Sequence, residues 1–336
     1  MKIGFVGLGA MGAPMTARLV AAFPGQIGCF DADPARLARV AAETGAETAS
    51  SVAGLAGSVD LLLSCLPNDD VLRAVYLESD GVAAHLPSQG ISIDCSTVSP
   101  AVTREVSAAV AQKARAHLDA AMLGSVKQAH EGTISFVVGG AAAALEAARP
   151  ALAACGGLVR HCGPSGAGQQ MKLVHQTLVA GHAVAVAEAM GLCLECGIDI
   201  EDFYDIVTQG TGFAYSRYFE NRVPRMRDGD FSPLFMLQFM LKDARLARDM
   251  VQNAGGHGSG GTGGDKRGDT GGDTGGDTGG EMTGPRAAGA GPRYPMLAAV
   301  IATLEEADAA GYGGADFSAA MRALEARLGV SVEKRG

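Results

Sequence analysis

The 336-residue chain lacks any basic block with interleaved aromatics, and its 27 lysines and arginines are outweighed by 36 acidic side chains, a net charge of −9. That balance argues against nucleic acid as a partner. No run of eighteen uncharged apolar residues occurs, so no membrane span is expected. The first apolar run begins at residue 2 with no leader-like stretch before it, which gives a cytoplasmic location as the expectation. The seven cysteines (Cys29, Cys65, Cys95, Cys155, Cys162, Cys193, Cys196) are scattered and imply no disulfide framework. Cys193-Leu-Glu-Cys196 has CxxC spacing, but it falls late in a helical stretch without a second pair or a preceding strand. Neither metal nor redox chemistry is read there, and no metal site is expected.

What is present is apolar residues at 47%, enough for a globular core, and length for about two domains. The most informative segment is Ile3-Gly4-Phe5-Val6-Gly7-Leu8-Gly9-Ala10-Met11-Gly12, a short apolar strand running straight into GxGxxG and then an apolar helical pattern (Met11, Met15, Leu19, Val20). In that setting the first glycine allows a tight turn, the second lets a pyrophosphate approach the backbone, and the third permits close helix packing. The helix N-terminus then faces the anion. A second strand pattern, Ile27-Gly28-Cys29-Phe30, delivers Asp31 nineteen residues after Gly12. A carboxylate there accepts hydrogen bonds from a free ribose 2′-hydroxyl and repels a 2′-phosphate, so NAD is favoured over NADP. Asp33, just ahead of Pro34, suits a helix cap and leaves Asp31 for the ribose.

Short β-rich runs at 2–6, 26–30, 59–64, 91–94, 115–119, 133–138 and 157–162 alternate with helical ones. The expected fold is α/β: an N-terminal Rossmann domain with a doubly wound parallel sheet over 1–163, followed by an all-α domain over 164–330 for substrate and dimerisation. Residues 171–196 read as one helix apolar on most faces. It should be buried on most faces, partly against a partner subunit in a homodimer or homotetramer. Residues 255–292 interrupt the pattern, with Gly-Asp-Thr-Gly repeated at a period of four from Gly268 to Gly279. They read as a disordered insertion. Its Asp-Thr-Gly triplets and Arg-Gly-Asp lack the settings in which such motifs act, and a cation site at Asp265, Asp269, Asp273 and Asp277 is a weaker alternative.

The segment from Gly166 through Gly168, Lys172 and His175 to Gln176 puts a lysine and two polar side chains at i, i+3 and i+4, on one side of a helix that should be buried. A lysine near a helix end is often just solvated or snorkelling. A buried polar trio needs partners, and a substrate carboxylate or hydroxyl would supply them.

With these motifs in order, the chain resembles the β-hydroxyacid dehydrogenase family, relatives of 3-hydroxyisobutyrate and 6-phosphogluconate dehydrogenases. The resemblance rests on Gly7-Leu-Gly-Ala-Met-Gly12, on Asp119-Ala-Ala-Met-Leu-Gly124-Ser125 continuing to Gly132-Thr133, on Gly166-x-Gly168-x-x-x-Lys172, and on Lys242-Asp243. Leu66-Pro67 and Asp94-x-Ser96-Thr97 match loops that hold adenosine and nicotinamide in that family, and Gly311-Tyr312-Gly313 to Asp316-Phe317-Ser318-Ala319 closes the match. It implies hydride transfer between a small hydroxy acid and the dinucleotide, with Lys172 as general acid/base. Gly124, Ser125, His175 and Gln176 would contact substrate, and Gly7 to Gly12, Asp31, Leu66, Pro67, Thr97 and Lys242 would contact cofactor. Lys242 is read equally well as paired with Asp243 or a nearby acid, and Lys127 and His130 as solvated.

Two departures narrow the reading. Leu123-Gly124-Ser125 stands where the family usually has Ser-Gly-Gly, and His175-Gln176 replaces its Asn-Asn. Lys-x-x-His-Gln, with Phe219-Glu-Asn-Arg222 and Asp228-Gly-Asp230, resembles the L-threonate dehydrogenase branch, which oxidises C4 sugar acids with NAD. Leu-Gly-Ser instead resembles glyoxylate and succinic semialdehyde reductases, which use NADPH. A dehydrogenase fold kept only to bind dinucleotide is the rival from outside enzymology.

Overall fold

The computed structural model describes residues 1–254 and 292–332. The insertion expected at 255–292, with its four candidate aspartates, lies outside the described residues apart from Pro292. Eight strands form one sheet: β1 (Ile3–Val6), β2 (Ile27–Phe30), β3 (Glu47–Thr48), β4 (Leu61–Ser64), β5 (Ile91–Asp94), β6 (Ala116–Leu123), β7 (Ile134–Gly139) and β8 (Gly156–Gly163). Their order is β3-β2-β1-β4-β5-β6-β7-β8. The first six positions are the doubly wound dinucleotide-binding order, with the chain reversing direction across the sheet between β1 and β4.

The sheet departs from the expected uniform parallelism at one place, since β6 and β7 pair antiparallel. Residues 124–133 between them carry only the short helix Val126–Glu131. A parallel return needs a crossover of about a dozen residues or more, so this connection turns back as a hairpin. The two-residue edge strand β3 was not expected from sequence. Its side chains are exposed, and it is too short to show a period.

Layers of helices cover both faces. On one, Phe5, Met15, Leu19, Leu63, Phe136 and Leu152 form a core; on the other, Val6, Leu62, Leu72, Tyr76 and Val106 do. Beyond β8 the described residues are mostly helical and build a separate core around Leu173, Met240, Leu241, Val300, Leu304 and Phe317. All seven cysteines are free thiols.

The helix Ala167–Cys196 begins four residues earlier than its apolar pattern suggested and packs on β6 and β7 at its start. Its length and composition would allow it to cross a membrane, yet half of its most apolar stretch is buried inside the fold. Burial on most faces does not hold within one subunit: Met171, Val174 and Leu178 are 48%, 59% and 56% exposed.

Candidate active site

The glycine loop follows from β1 being wholly buried and ending at a turn only glycine tolerates. Gly7 has φ +92°, and a Cβ there would lie 2.3 Å from the Cys65 carbonyl oxygen. At Gly12 a Cβ would come within 1.9 Å of the Gly7 oxygen, whereas Gly9 has nothing within 4 Å of the corresponding position. The first and third glycines are therefore forced by packing, and the second leaves open space for a group to reach the backbone. No side chain caps the helix Gly12–Ala22, so its positive end is free for a pyrophosphate, and the cradle fits a dinucleotide.

Asp33 is the helix cap predicted for it, accepting hydrogen bonds from the Ala35 and Arg36 amides. Asp31 is 8% exposed and more heavily engaged than the sequence implied. Its carboxylate accepts the Leu8 amide at 2.7 Å and the Asp33 amide at 2.8 Å, and Arg36 Nη1 donates to both oxygens at 3.1 and 3.2 Å. It thus ties β2 to the glycine loop, and a guanidinium offsets its charge.

The other cofactor candidates lie on loops leaving β4 and β5. Leu66 is half-buried and Pro67 exposed, and the Leu66 amide donates to Ser96 Oγ at 2.7 Å. Ser96 Oγ donates in turn to Asp94 Oδ1 at 2.6 Å, which also receives Ser64 Oγ at 2.7 Å. Burial pushes the Asp94 carboxyl up to about 6, against the lowering effect of those hydroxyls. Lys242, on the helix Leu237–Ala254, donates from Nζ to the Thr97 carbonyl. It also stands 3.2 Å from Asp243 Oδ1, the acid with which the sequence suggested it could pair.

Lys172 is 7% exposed on the second turn of the long helix, and its ammonium donates no hydrogen bond among the described residues. Its pKa is lowered to about 8, first by burial, with the Lys242 cation adding to that and the Asp243 carboxylate opposing it. Gln176, 5% exposed, donates from Nε2 to Asp243 Oδ2 at 2.8 Å. Asp243 Oδ1 is buried without an aligned hydrogen-bond donor, only the ion-pair contact to Lys242. The buried carboxylate is thus shared by the Gln176 amide and the Lys242 cation, and its charge acts on the buried Lys172 amine, whose pKa of about 8 suits it to hold and move a proton.

The third member of the trio diverges. His175 sits on the exposed side of the helix, reaching back only to Gln176 Oε1 at 3.4 Å. Burial of part of its ring and the nearby Lys172 lower its pKa. Gly124, with φ +150°, and Ser125 open the short helix after β6, where Ser125 Oγ donates to Gln128 Oε1 at 2.5 Å. Lys127 and His130 on that helix are exposed, as expected.

Two residues carry more than sequence reasoning assigned to them. Asp119, fully buried on β6, accepts the Gly166 amide at 2.8 Å and the Gln169 amide at 3.0 Å, capping the long helix from 47 residues away. Burial nonetheless raises its pKa, with those amides acting in the opposite direction. Asp243 was seen only as a partner for Lys242. The signals were an Asp opening one motif and the Asp after Lys242, but neither residue type reports which amide or lysine it will meet.

The model of the NAD binding domain of 6-phosphogluconate dehydrogenase matches residues 2–163, and that of the NAD-binding domain of NADP-dependent 3-hydroxyisobutyrate dehydrogenase matches 166–261. The chain is 34% identical over 256 residues to NAD-dependent L-serine dehydrogenase of Pseudomonas aeruginosa, covering 75% of this chain and 85% of that one. It is 32% identical over 254 residues to L-threonate dehydrogenase of Cupriavidus necator, with 75% and 84% covered. A structure of Mycobacterium tuberculosis 3-hydroxyisobutyrate dehydrogenase with L-serine superposes with a TM-score of 0.76 at 29% identity, covering 96% of this chain and 98% of the other. With its mostly parallel nucleotide-binding sheet, its helical second half and a buried lysine on the long helix that begins it, the chain belongs to the β-hydroxyacid dehydrogenase family and is an NAD(P)-dependent hydroxyacid dehydrogenase.

Proposed function

We propose that the protein oxidises a small hydroxy acid with NAD, either a C4 sugar acid such as L-threonate or a 3-hydroxy acid, and that Lys172 is the general acid/base. The observation that carries this is the buried Lys172 amine, lowered to about 8 and without a hydrogen-bond partner among the described residues, one helical turn from the Gln176–Asp243 pair. When bound, the dinucleotide supplies the hydride acceptor. Gly7, Leu8, Gly9, Ala10, Met11 and Gly12 would hold its pyrophosphate, Asp31 its ribose, Leu66 and Pro67 its adenosine, and Thr97 with Lys242 its nicotinamide end. Lys172 Nζ takes the hydroxyl proton during oxidation and returns it during reduction. Gln176 orients the reacting oxygen, Gly124 and Ser125 bind the carboxylate, and His175, at the solvent side, reads a further hydroxyl. Two copies would associate through the exposed stripe Met171, Val174 and Leu178, giving a homodimer or homotetramer.

The relatives support the substrate class, since they are named for L-serine, L-threonate and 3-hydroxyisobutyrate. The test follows reduced-cofactor absorbance while threonate, erythronate, 3-hydroxyisobutyrate, L-serine, glycerate and 4-hydroxybutyrate are offered with NAD and then NADP. Reduction of NAD by a C4 or 3-hydroxy acid is expected. Dinucleotide binding without turnover would favour a non-catalytic module instead.

One observation favours an NADPH-dependent aldehyde-acid reductase as the second reading. Arg36 on Asp31 weakens the repulsion of a 2′-phosphate. Preference for NADP in the same assay would establish that reading, and Arg36→Ala should then shift the preference back toward NAD.

The pH profile follows from the neighbours of Lys172. Oxidation needs the neutral amine, so kcat/KM for oxidation is expected to rise as pH passes through about 8. Asp243→Asn removes the carboxylate that raises the Lys172 pKa, so the inflection should move to lower pH. Lys242→Met removes a repelling cation and should move it to higher pH. Profiles that coincide for all three proteins would exclude Lys172 as the titrating base.

A further inference from the structure

We infer that Gln169 is a positioning residue for hydride transfer, setting loop 96–98 against the helix face that carries Lys172. The inference rests on the proposed function, which places nicotinamide at Thr97 and the proton at Lys172.

Gln169 is fully buried and uses both ends of its amide on one short loop. Its Oε1 accepts the Val98 amide at 3.2 Å, and its Nε2 donates to the Ser96 carbonyl at 2.8 Å. The amide orientation is forced, because one partner is a donor and the other an acceptor. Two bonds flanking Thr97 fix both distance and rotation, where one would leave a hinge. The carbonyl of Thr97 itself receives Lys242 Nζ, so three consecutive loop residues are held by side chains from the helical half. From its own half, the loop is anchored through Ser96 Oγ on Asp94.

The other end of the device is the helix. The Gln169 backbone N–H donates to Asp119 Oδ2 at 3.0 Å, which fixes the residue on β6. Gln169, Lys172 and Gln176 follow at i, i+3 and i+7, one helix face. Lys172 is thus one turn from the side chain that grips the loop. An amide needed only to satisfy buried backbone would have served equally from within the nucleotide-binding half. This one crosses between halves, with partners 71 and 73 positions away in sequence.

The experiment compares wild type with Gln169→Met, which keeps length and loses both bonds, and Gln169→Asn, which keeps an amide but withdraws it by one methylene. NADH binding is read by its fluorescence, and turnover with the best hydroxy acid in protiated and carbon-deuterated form. A misplacement of about 1 Å costs on the order of 10²-fold in rate, so kcat is expected to fall about 10²-fold. NADH affinity should stay within about threefold, and the primary isotope effect on kcat should grow as hydride transfer becomes limiting. Variants that bind NADH and keep the wild-type rate and isotope effect overturn the inference while leaving the function intact. Variants that lose NADH binding in proportion to rate assign Gln169 to holding the fold or cofactor, which also overturns it. A wild type inert on every hydroxy acid brings down the functional reading, and this inference with it.

Discussion

Lys172→Met is expected to abolish turnover and to make the protein more stable. A positioned acid/base contributes about 10²–10⁴ in rate, so kcat should fall by that range or more, with NADH affinity changed little. The stability effect follows from the same burial. The amine's folded pKa of about 8 lies below its ordinary 10.5, so the charged form is disfavoured by folding. The penalty is fully present below about pH 8 and fades as pH rises through 10.5. Each unit is worth about 1.4 kcal/mol, giving a gain on the order of 3 kcal/mol for the methionine variant near pH 7 and little gain near pH 11. Denaturant unfolding at the two pH values reads this directly. A methionine variant less stable than wild type at pH 7 would show that the lysine is satisfied in its pocket and is not held as a strained base. Trading stability for a reactive group is common at active sites.

Gly168→Ala should damage catalysis from one turn earlier on the same face of the helix. A Cβ there would lie 2.5 Å from the Val137 oxygen, 2.7 Å from the Asp119 carbonyl oxygen and 2.8 Å from Asp119 Oδ2. Two of these are backbone atoms in paired strands of the sheet, so the helix must lift and strain its two amide bonds to Asp119. Lys172 is one turn along and moves with it. We expect kcat to drop about 10²-fold and unfolding free energy to fall by about 1–3 kcal/mol. NADH affinity should hold within a few fold, because the glycine loop sits at β1, across the sheet. Unaltered kcat would mean that the helix start has slack and that Lys172 is placed by its later turns instead.

Much of the nucleotide-binding half was legible because its signals are local. A strand that must be buried, a turn that must be glycine and a helix that must start on an anion all lie within residues 3–12. Asp33 as a cap followed equally from Pro34 beside it. The antiparallel β6–β7 pair was missed because alternation of strands and helices says nothing about direction when the connection is this short. The start of the long helix was missed for a different reason. Gly166, at φ +90°, offers no side-chain cap, and Asp119 supplies one from another strand.

The candidate site divides in the same way. The lysine, its spacing from Gln176 and the family motifs stand in the sequence, since helical periodicity places i and i+4 together. By itself the sequence determined the fold class, the dinucleotide cradle and the lysine that is buried among the described residues. Only the tertiary structure turned His175 outward, set Asp243 under Gln176, laid Arg36 on Asp31 and joined Gln169 to the loop around Thr97. Each of those contacts depends on where two distant elements meet, and side-chain type alone does not encode that meeting. It is set by the packing of the long helix against β6 and β7 and of the helix Leu237–Ala254 against the long helix.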